Sequence, residues 1–208
     1  MSSPLTIASI PPTELVALLV ATSFAAGLNV YATLLTLGLL THAGLLPLPP
    51  ALQLLSNWYV IAAGGVMFVI EFFADKIPAF DLVWNALHTF IRIPIAALLA
   101  YGATATLSPG EQLVATIAGG AIALAAHGGK TAVRAAVTPS PEPFSNITLS
   151  LGEDGLAIFL TWFATQHPYA AIAIVGAMLA VIVVLARWVV RSLRRLFRGA
   201  EHELAKES

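Results

Sequence analysis

Cysteine is absent, which removes disulfides, thiolate nucleophiles and cysteine metal sites from consideration. Charge is almost as scarce. Charged residues make up 10% of the 208 residues against 58% hydrophobic ones, and the mean hydropathy is +0.86. Such a composition lies far outside that of soluble domains and requires lipid as solvent. The first dozen residues carry no lysine or arginine, and no small-residue cleavage site follows a short apolar core. The first apolar segment is therefore expected to be retained rather than removed as a signal peptide. At ~20 apolar residues per crossing, the length allows about six spans and leaves no room for a separate soluble domain. The expected organisation is one transmembrane domain over residues 1–198, with a short polar cytoplasmic tail over 199–208.

The pattern predicts an all-α, polytopic helical bundle. Thr13 with Glu14 reads as the N-cap and acidic first turn of span one, which runs unbroken to Thr41. An uncharged, Pro- and Leu-rich loop suited to the interface follows, and Asn57-Trp58-Tyr59 opens span two, which ends near Pro78. Span three starts at Asp81 and passes Arg92 and Pro94 to about Thr106. Ser108-Pro109-Gly110-Glu111 is a turn with an acidic first helical turn, and span four ends near Val137. The alternating prolines between Thr138 and Phe144 exclude helix there. Ser145 or Asn146 then caps span five, which ends at Gln166, and span six emerges from His167-Pro168-Tyr169 into an arginine-rich tail.

Charge placement supports that count. Except for Arg92, the ten basic residues fall at the span two/three turn, the span four/five turn or the C-terminal tail, and six spans put those regions on one side. By the positive-inside rule that side is the cytoplasm, which also places both termini there, with the cell (inner or plasma) membrane as the expected location. Six spans also admit a 3+3 inverted repeat, as in many transporters.

Ionisable groups inside a membrane cost ~2.5–3.5 kcal/mol each at a helix centre on insertion scales, and they usually face a partner or water. Counting ~1.5 Å per residue from the cytoplasmic ends puts Glu71, His88, Lys130 and Glu153 roughly 10 Å deep on four different spans. Arg92 and His127 lie deeper, Asp75 and Arg134 shallower, and Asn29 sits near the midplane. One consequence is a polar cavity open to the cytoplasm, in which acids and bases bind a solute or pass protons. The other is a set of buried pairs, Glu71 with Lys130 or Arg92 and Glu153 or Asp154 with Arg134, that fix the packing.

Individual motifs carry the same two readings. Glu71 and Asp75 are four apart on one face; with Asp81 they have the donor chemistry to hold a divalent metal for work on a phosphate, whereas Lys76 and Asp81 also suit plain interfacial solvation. Ala126-His127-Gly128-Gly129-Lys130-Thr131 lacks P-loop spacing and follows an apolar helix, so ATP hydrolysis is not supported. The paired glycines fit a bend or a close backbone approach. Lys130 and Arg134 share a face and suit an anion or neighbouring acids. Gly27-Leu-Asn29-Val-Tyr31 offers an amide and a phenol in mid-span, for a cavity or for an interhelical hydrogen bond. The sequon Asn146-Ile-Thr148 falls on the cytoplasmic side, away from glycosylation. The arginines from Arg187 onward suit a helix lying on an anionic leaflet; nucleic acid is not an expected partner.

With Gly27-Leu-Asn29-x-Tyr31, the Glu71 to Asp81 stretch, His127-Gly-Gly-Lys130-x-x-x-Arg134 and Pro141-Glu-Pro-Phe-Ser145-Asn146 in view, the chain resembles the bacterial and plastid family called domain of unknown function 4126. The resemblance covers nearly the whole chain except the basic tail. It implies a small multi-span membrane protein and brings no substrate, cofactor or catalytic residue with it. The leading expectation from the residues is a small transporter or channel-like permease for an unknown solute or ion, lined by Asn29, Glu71, Asp75, His88, Arg92, His127, Lys130, Arg134, Glu153 and Asp154, with His88 or His127 as proton carriers and no cofactor. A metal-dependent enzyme acting on a lipid phosphate and a non-transporting scaffold are the alternatives. Gly64-Gly65 and Gly119-Gly120 are available for packing, including in a homo-oligomer.

Overall fold

The computed structural model describes residues 11–137 and 143–207. They form seven α-helices: α1 (Pro12–Leu28), α2 (Val30–His42), α3 (Trp58–Ala74), α4 (Pro78–Ala103), α5 (Pro109–Val137), α6 (Pro143–Gln166) and α7 (Pro168–Glu207), with a 3-10 helix over Pro50–Ser56 before α3. Four stretches are long and apolar enough to cross a membrane, Val83–Ala103, Pro109–Arg134, Ile147–Gln166 and Pro168–Arg191. The 3-10 helix and α3, bent by 65° at their junction, count as a fifth if taken as one span. The protein is thus a polytopic membrane-spanning helical bundle. Its outer faces carry the apolar side chains that lipid requires, among them Phe90, Val114, Leu98 and Val184, each more than half exposed.

All six expected apolar segments are present as helix, but the first is not continuous. Asn29 adopts an extended conformation (φ −148°, ψ 106°) and divides it into α1 and α2. Each half is short of a full crossing. The Asn29 Oδ1 accepts from the Ala32 amide (2.9 Å), so the residue caps α2, a role for which asparagine is among the best side chains. The break has no counterpart in the uninterrupted α5, so the two halves of the chain differ where an inverted repeat would pair them.

Boundaries differ in detail. The α1 N-cap is Pro11 without a side-chain bond; Thr13, expected to cap it, instead shares a hydrogen bond with the Tyr169 hydroxyl on α7 (3.1 Å). Proline at the first helical position starts α4 at Pro78 rather than Asp81, and α6 at Pro143 rather than after Ser145 or Asn146. The proline-rich residues 138–142 lie outside the described residues, as do the side chains of Asp81, Ser145, Asn146 and the tail arginines beyond Arg191. The helix α7 continues to Glu207 without a break between the apolar stretch and the polar end.

The start of α5 is as the sequence predicts. Glu111 accepts from the Ser108 amide (3.0 Å) and hydroxyl (2.6 Å), and Ser108 Oγ takes the Glu111 amide (3.4 Å), a reciprocal capping box. Ser108→Ala is expected to lower the melting temperature measurably and Ser108→Gly much less, because glycine is the better substitute at an N-cap.

The α1 helix is central and packs against α4, α5, α6 and α7. Close approach at Gly27 makes that possible: a Cβ there would lie 2.5 Å from the Ala123 carbonyl of α5. Gly119 likewise meets Ala100 and Ser23, and Gly64 faces Leu35, so those glycines are used within the chain. Of the pair in α5, Gly129 admits Ile182 of α7, whereas Gly128 faces open space.

Candidate functional site: a closed layer of charge at an interrupted helix

The site is built from four long elements around the α1/α2 break. From α3 come Glu71 and Asp75, from α4 Arg92, from α5 Lys130 and Arg134, and from α6 Glu153 and Asp154. Glu71, Asp75, Arg92, Lys130, Arg134 and Asp154 are each 4% exposed or less. Burial of this kind requires pairing, and the pairing is specific.

In one tier, an Arg92 terminal nitrogen donates to Glu71. The other donates to Asn85 Oδ1 (3.1 Å) and to His127 Nδ1 (2.9 Å). In the second, Lys130 Nζ lies 3.0 Å from Asp75 Oδ2 and 3.2 Å from Glu153 Oε2. Arg134 forks across the same two acids, donating to Asp75 Oδ2 (3.0 Å) and from Nε to both Glu153 oxygens (3.2 and 3.1 Å). It also donates to the Asp75 carbonyl (3.2 Å) at the end of α3. Lys130 donates as well to the Leu28 carbonyl (3.1 Å), which α1 leaves unused at its C-terminus. A cation on the negative end of a half-helix is the favourable arrangement. Asn29 completes the group by donating from Nδ2 to Asp154 Oδ1 (2.8 Å).

Both histidines are bridges between neighbouring groups. The His88 Nδ1 faces the Trp84 carbonyl (2.8 Å), which only accepts, so Nδ1 carries a proton, and Nε2 pairs with the Tyr31 hydroxyl (3.2 Å). At His127 the Arg92 guanidinium can only donate, so Nδ1 accepts and Nε2 donates to Thr89 Oγ1 (2.7 Å), which passes its own hydrogen to the Asn85 carbonyl (3.1 Å).

The structure therefore gathers the residues that the sequence singled out, with His88 set apart: its partners are Tyr31 and Trp84 and none of the charges. Of the two arrangements foreseen, the paired one is present. Glu71 takes Arg92, and Glu153 takes Arg134. Arg92, Lys130 and Arg134 are each turned onto an acid, and the layer they form is buried apart from Glu153, whose side chain stays 12% exposed. Lys76 stays outside it; its ammonium donates to the Phe72 carbonyl (2.7 Å) and lies over the Phe72 ring. Among the described residues, no three His, Asp or Glu are placed to hold a metal ion.

Asn85 and Thr89 went unrecognised in the sequence. Their signal was spacing: Asn85, Thr89 and Arg92 succeed one another by four and three along α4, a polar stripe on a largely apolar helix.

No curated protein and no solved structure matches this chain. The family described as domain of unknown function (DUF4126) matches residues 16–188, from early in α1 to the last apolar turns of α7 and including every residue of the charged layer, and the chain belongs to that family.

Proposed function

We propose that this protein is a small solute transporter of the cell membrane, with both termini in the cytoplasm, and that its binding site is the layer of Glu71, Asp75, Arg92, Lys130, Arg134 and Glu153 against the break in its first segment. The observation that carries this reading is the break itself. A helix interrupted in mid-bundle, with Lys130 on the carbonyl end of one half and Asn29 capping the other, resembles the discontinuous helices on which secondary transporters build their sites. A purely structural ion pair needs no interrupted backbone beside it. In the layer as it stands, the bases and their partner acids satisfy one another. A solute carrying both an anionic and a cationic group exchanges those contacts one for one, which favours a zwitterion or an anion over a bare metal cation. Asn29, at a helix terminus, is the natural place for the rotation that opens the layer.

The lipid-phosphate enzyme reading is less well supported. It needs Glu71 and Asp75 free for metal and Lys130 and Arg134 free for phosphate, and these groups are spent on one another. The scaffold reading draws on the same pairing.

A thermal-stability screen in detergent separates the three, using amino acids, small anions, and lipid phosphates with and without Mg2+. A ligand of the folded state at 100 times its Kd adds ~2.7 kcal/mol. We expect a zwitterion or small anion to raise the melting temperature of the native chain and to lose that effect in Lys130→Met. Stabilisation confined to lipid phosphate with Mg2+ would transfer the site to the enzyme reading. No response to the panel, with Lys130→Met simply melting earlier, would leave the layer as a packing device.

A further inference from the structure

One acid of the buried layer is left without a cation. Among the described residues the buried bases are Arg92, Lys130 and Arg134 and the buried acids Glu71, Asp75 and Asp154, with the part-exposed Glu153 and Lys76 at their border. Glu71 is matched by Arg92, and Asp75 and Glu153 by Lys130 and Arg134 together. Among the described residues Asp154 makes no ion pair. Its Oδ1 accepts only the Asn29 amide (2.8 Å), and its Oδ2 is buried with no hydrogen-bond partner. Lys130 on α5 is turned onto other groups: it donates to the Leu28 carbonyl and to Asp75 and lies in an ion pair with Glu153.

We infer that Asp154 binds a proton in the closed structure and that the Asp154–Asn29 contact at the helix break is the proton site of the transporter. The proton itself follows from the geometry, and its coupling to a solute rests on the transport reading above. The groups facing Asp154 are Asn29 at the break, Lys130 and Arg134 from α5, Glu71 and Asp75 from α3 with Lys76 beyond them, and Glu153 on its own helix. The bases among them already serve other acids, apart from Lys76, which is turned onto the Phe72 carbonyl. An ionised Asp154 would be a buried carboxylate with a single neutral donor as compensation. A proton on Oδ2 removes that uncompensated charge. The proton-carrying role thereby moves away from His88 and His127, each of which already has both ring nitrogens in hydrogen bonds.

A transport step follows with its charges balanced. When the layer opens, the Oδ2–H bond breaks and the proton passes to water. The carboxylate left behind competes with Asp75 and Glu153 for Lys130, which loosens the contact holding α1 to α5. Reprotonation releases Lys130 and restores the closed arrangement.

Infrared spectroscopy of the protein in liposomes, labelled with [4-13C]aspartate, reads this directly. We expect a protonated-carboxyl band at neutral pH that shifts on labelling, titrates reversibly and disappears in Asp154→Asn. Asp154→Glu guards against a variant that fails to fold: the band should lose its isotope shift while a protonated carboxyl remains. Absence of a labelled protonated band in the native chain, or its persistence in both variants, overturns the proposal. Dye-loaded proteoliposomes given the same solute panel then test the coupling separately. Solute-dependent proton movement that Asp154→Asn abolishes supports it. A titrating Asp154 with solute movement but no proton movement overturns the coupling and leaves transport standing. A titrating Asp154 with neither movement leaves the proton site standing and removes the transport reading.

Discussion

Arg92→Met is expected to be among the most damaging single changes in the molecule, lowering stability on the order of 3–5 kcal/mol by leaving the Glu71 carboxylate buried without its cation. Glu71→Gln should cost somewhat less, because the amide oxygen can still accept from the guanidinium. The informative measurement is the pair. The double variant Arg92→Met/Glu71→Gln should recover a large part of the loss, since no uncompensated charge remains, so the effects combine well below their sum. Recovery will be incomplete, because Arg92 also donates to His127 Nδ1 and Asn85 Oδ1, and both bonds are lost without it. Arg92→Lys should not rescue the fold fully: one ammonium cannot reproduce a planar fork that serves acceptors on α3, α4 and α5 together. Melting curves in detergent for the four variants decide the matter. Singles that melt within a degree or two of the native chain, or a double equal to the sum of the singles, would remove Glu71–Arg92 from the packing argument.

How far the sequence led to this arrangement depends on the kind of signal. The membrane bundle was plain, because 58% hydrophobic residues admit no soluble alternative. Charged residues in apolar helices were legible as a group for an energetic reason: each must find a partner or water, so those on different helices at similar depth tend to meet. The pairing within the group was less legible. The α3 helix ends at Ala74 and α4 begins at Pro78, whereas the sequence reading ran the second span to Pro78 and began the third at Asp81. A slip of three or four residues is about one helical turn, roughly 5 Å in depth, and that is enough to blur whether Glu71 meets Lys130 or Arg92. The break at Asn29 was invisible to any averaged property. Its neighbours are as apolar as the rest of the segment, and the change of direction is a single residue's φ and ψ. Asparagine in mid-span was the one available clue, since its side chain both caps a helix and bonds across to another. Closure of the site was equally hidden: a sequence shows that acids and bases converge, whereas whether they enclose water or one another is decided by side-chain packing.

Gly27 yields the other large effect. In Gly27→Ala the new methyl would sit 2.5 Å from the Ala123 carbonyl oxygen, 2.7 Å from Ala126 Cβ and 2.9 Å from Ala123 Cα. Two of those atoms are backbone of α5 and cannot rotate away, so α1 and α5 must separate. Overpacking of this kind costs ~1–3 kcal/mol or more, and it removes the close approach that small residues provide where no hydrophobic force between helices exists. Leu28 follows directly in sequence, and its carbonyl is one of the acceptors of Lys130. A shift of α1 therefore reaches the charged layer, and Gly27→Ala should weaken solute-dependent stabilisation as well as lower the melting temperature. Gly128→Ala on α5 is the control, because a Cβ there meets nothing within 4 Å; it should leave the contacts intact and add up to ~1 kcal/mol through helix propensity. Were both alanines to behave alike, the helix contact at Gly27 would not be holding the interrupted segment against α5. Opposite signs would locate at this one glycine the contact that keeps the broken helix and the buried charges in register.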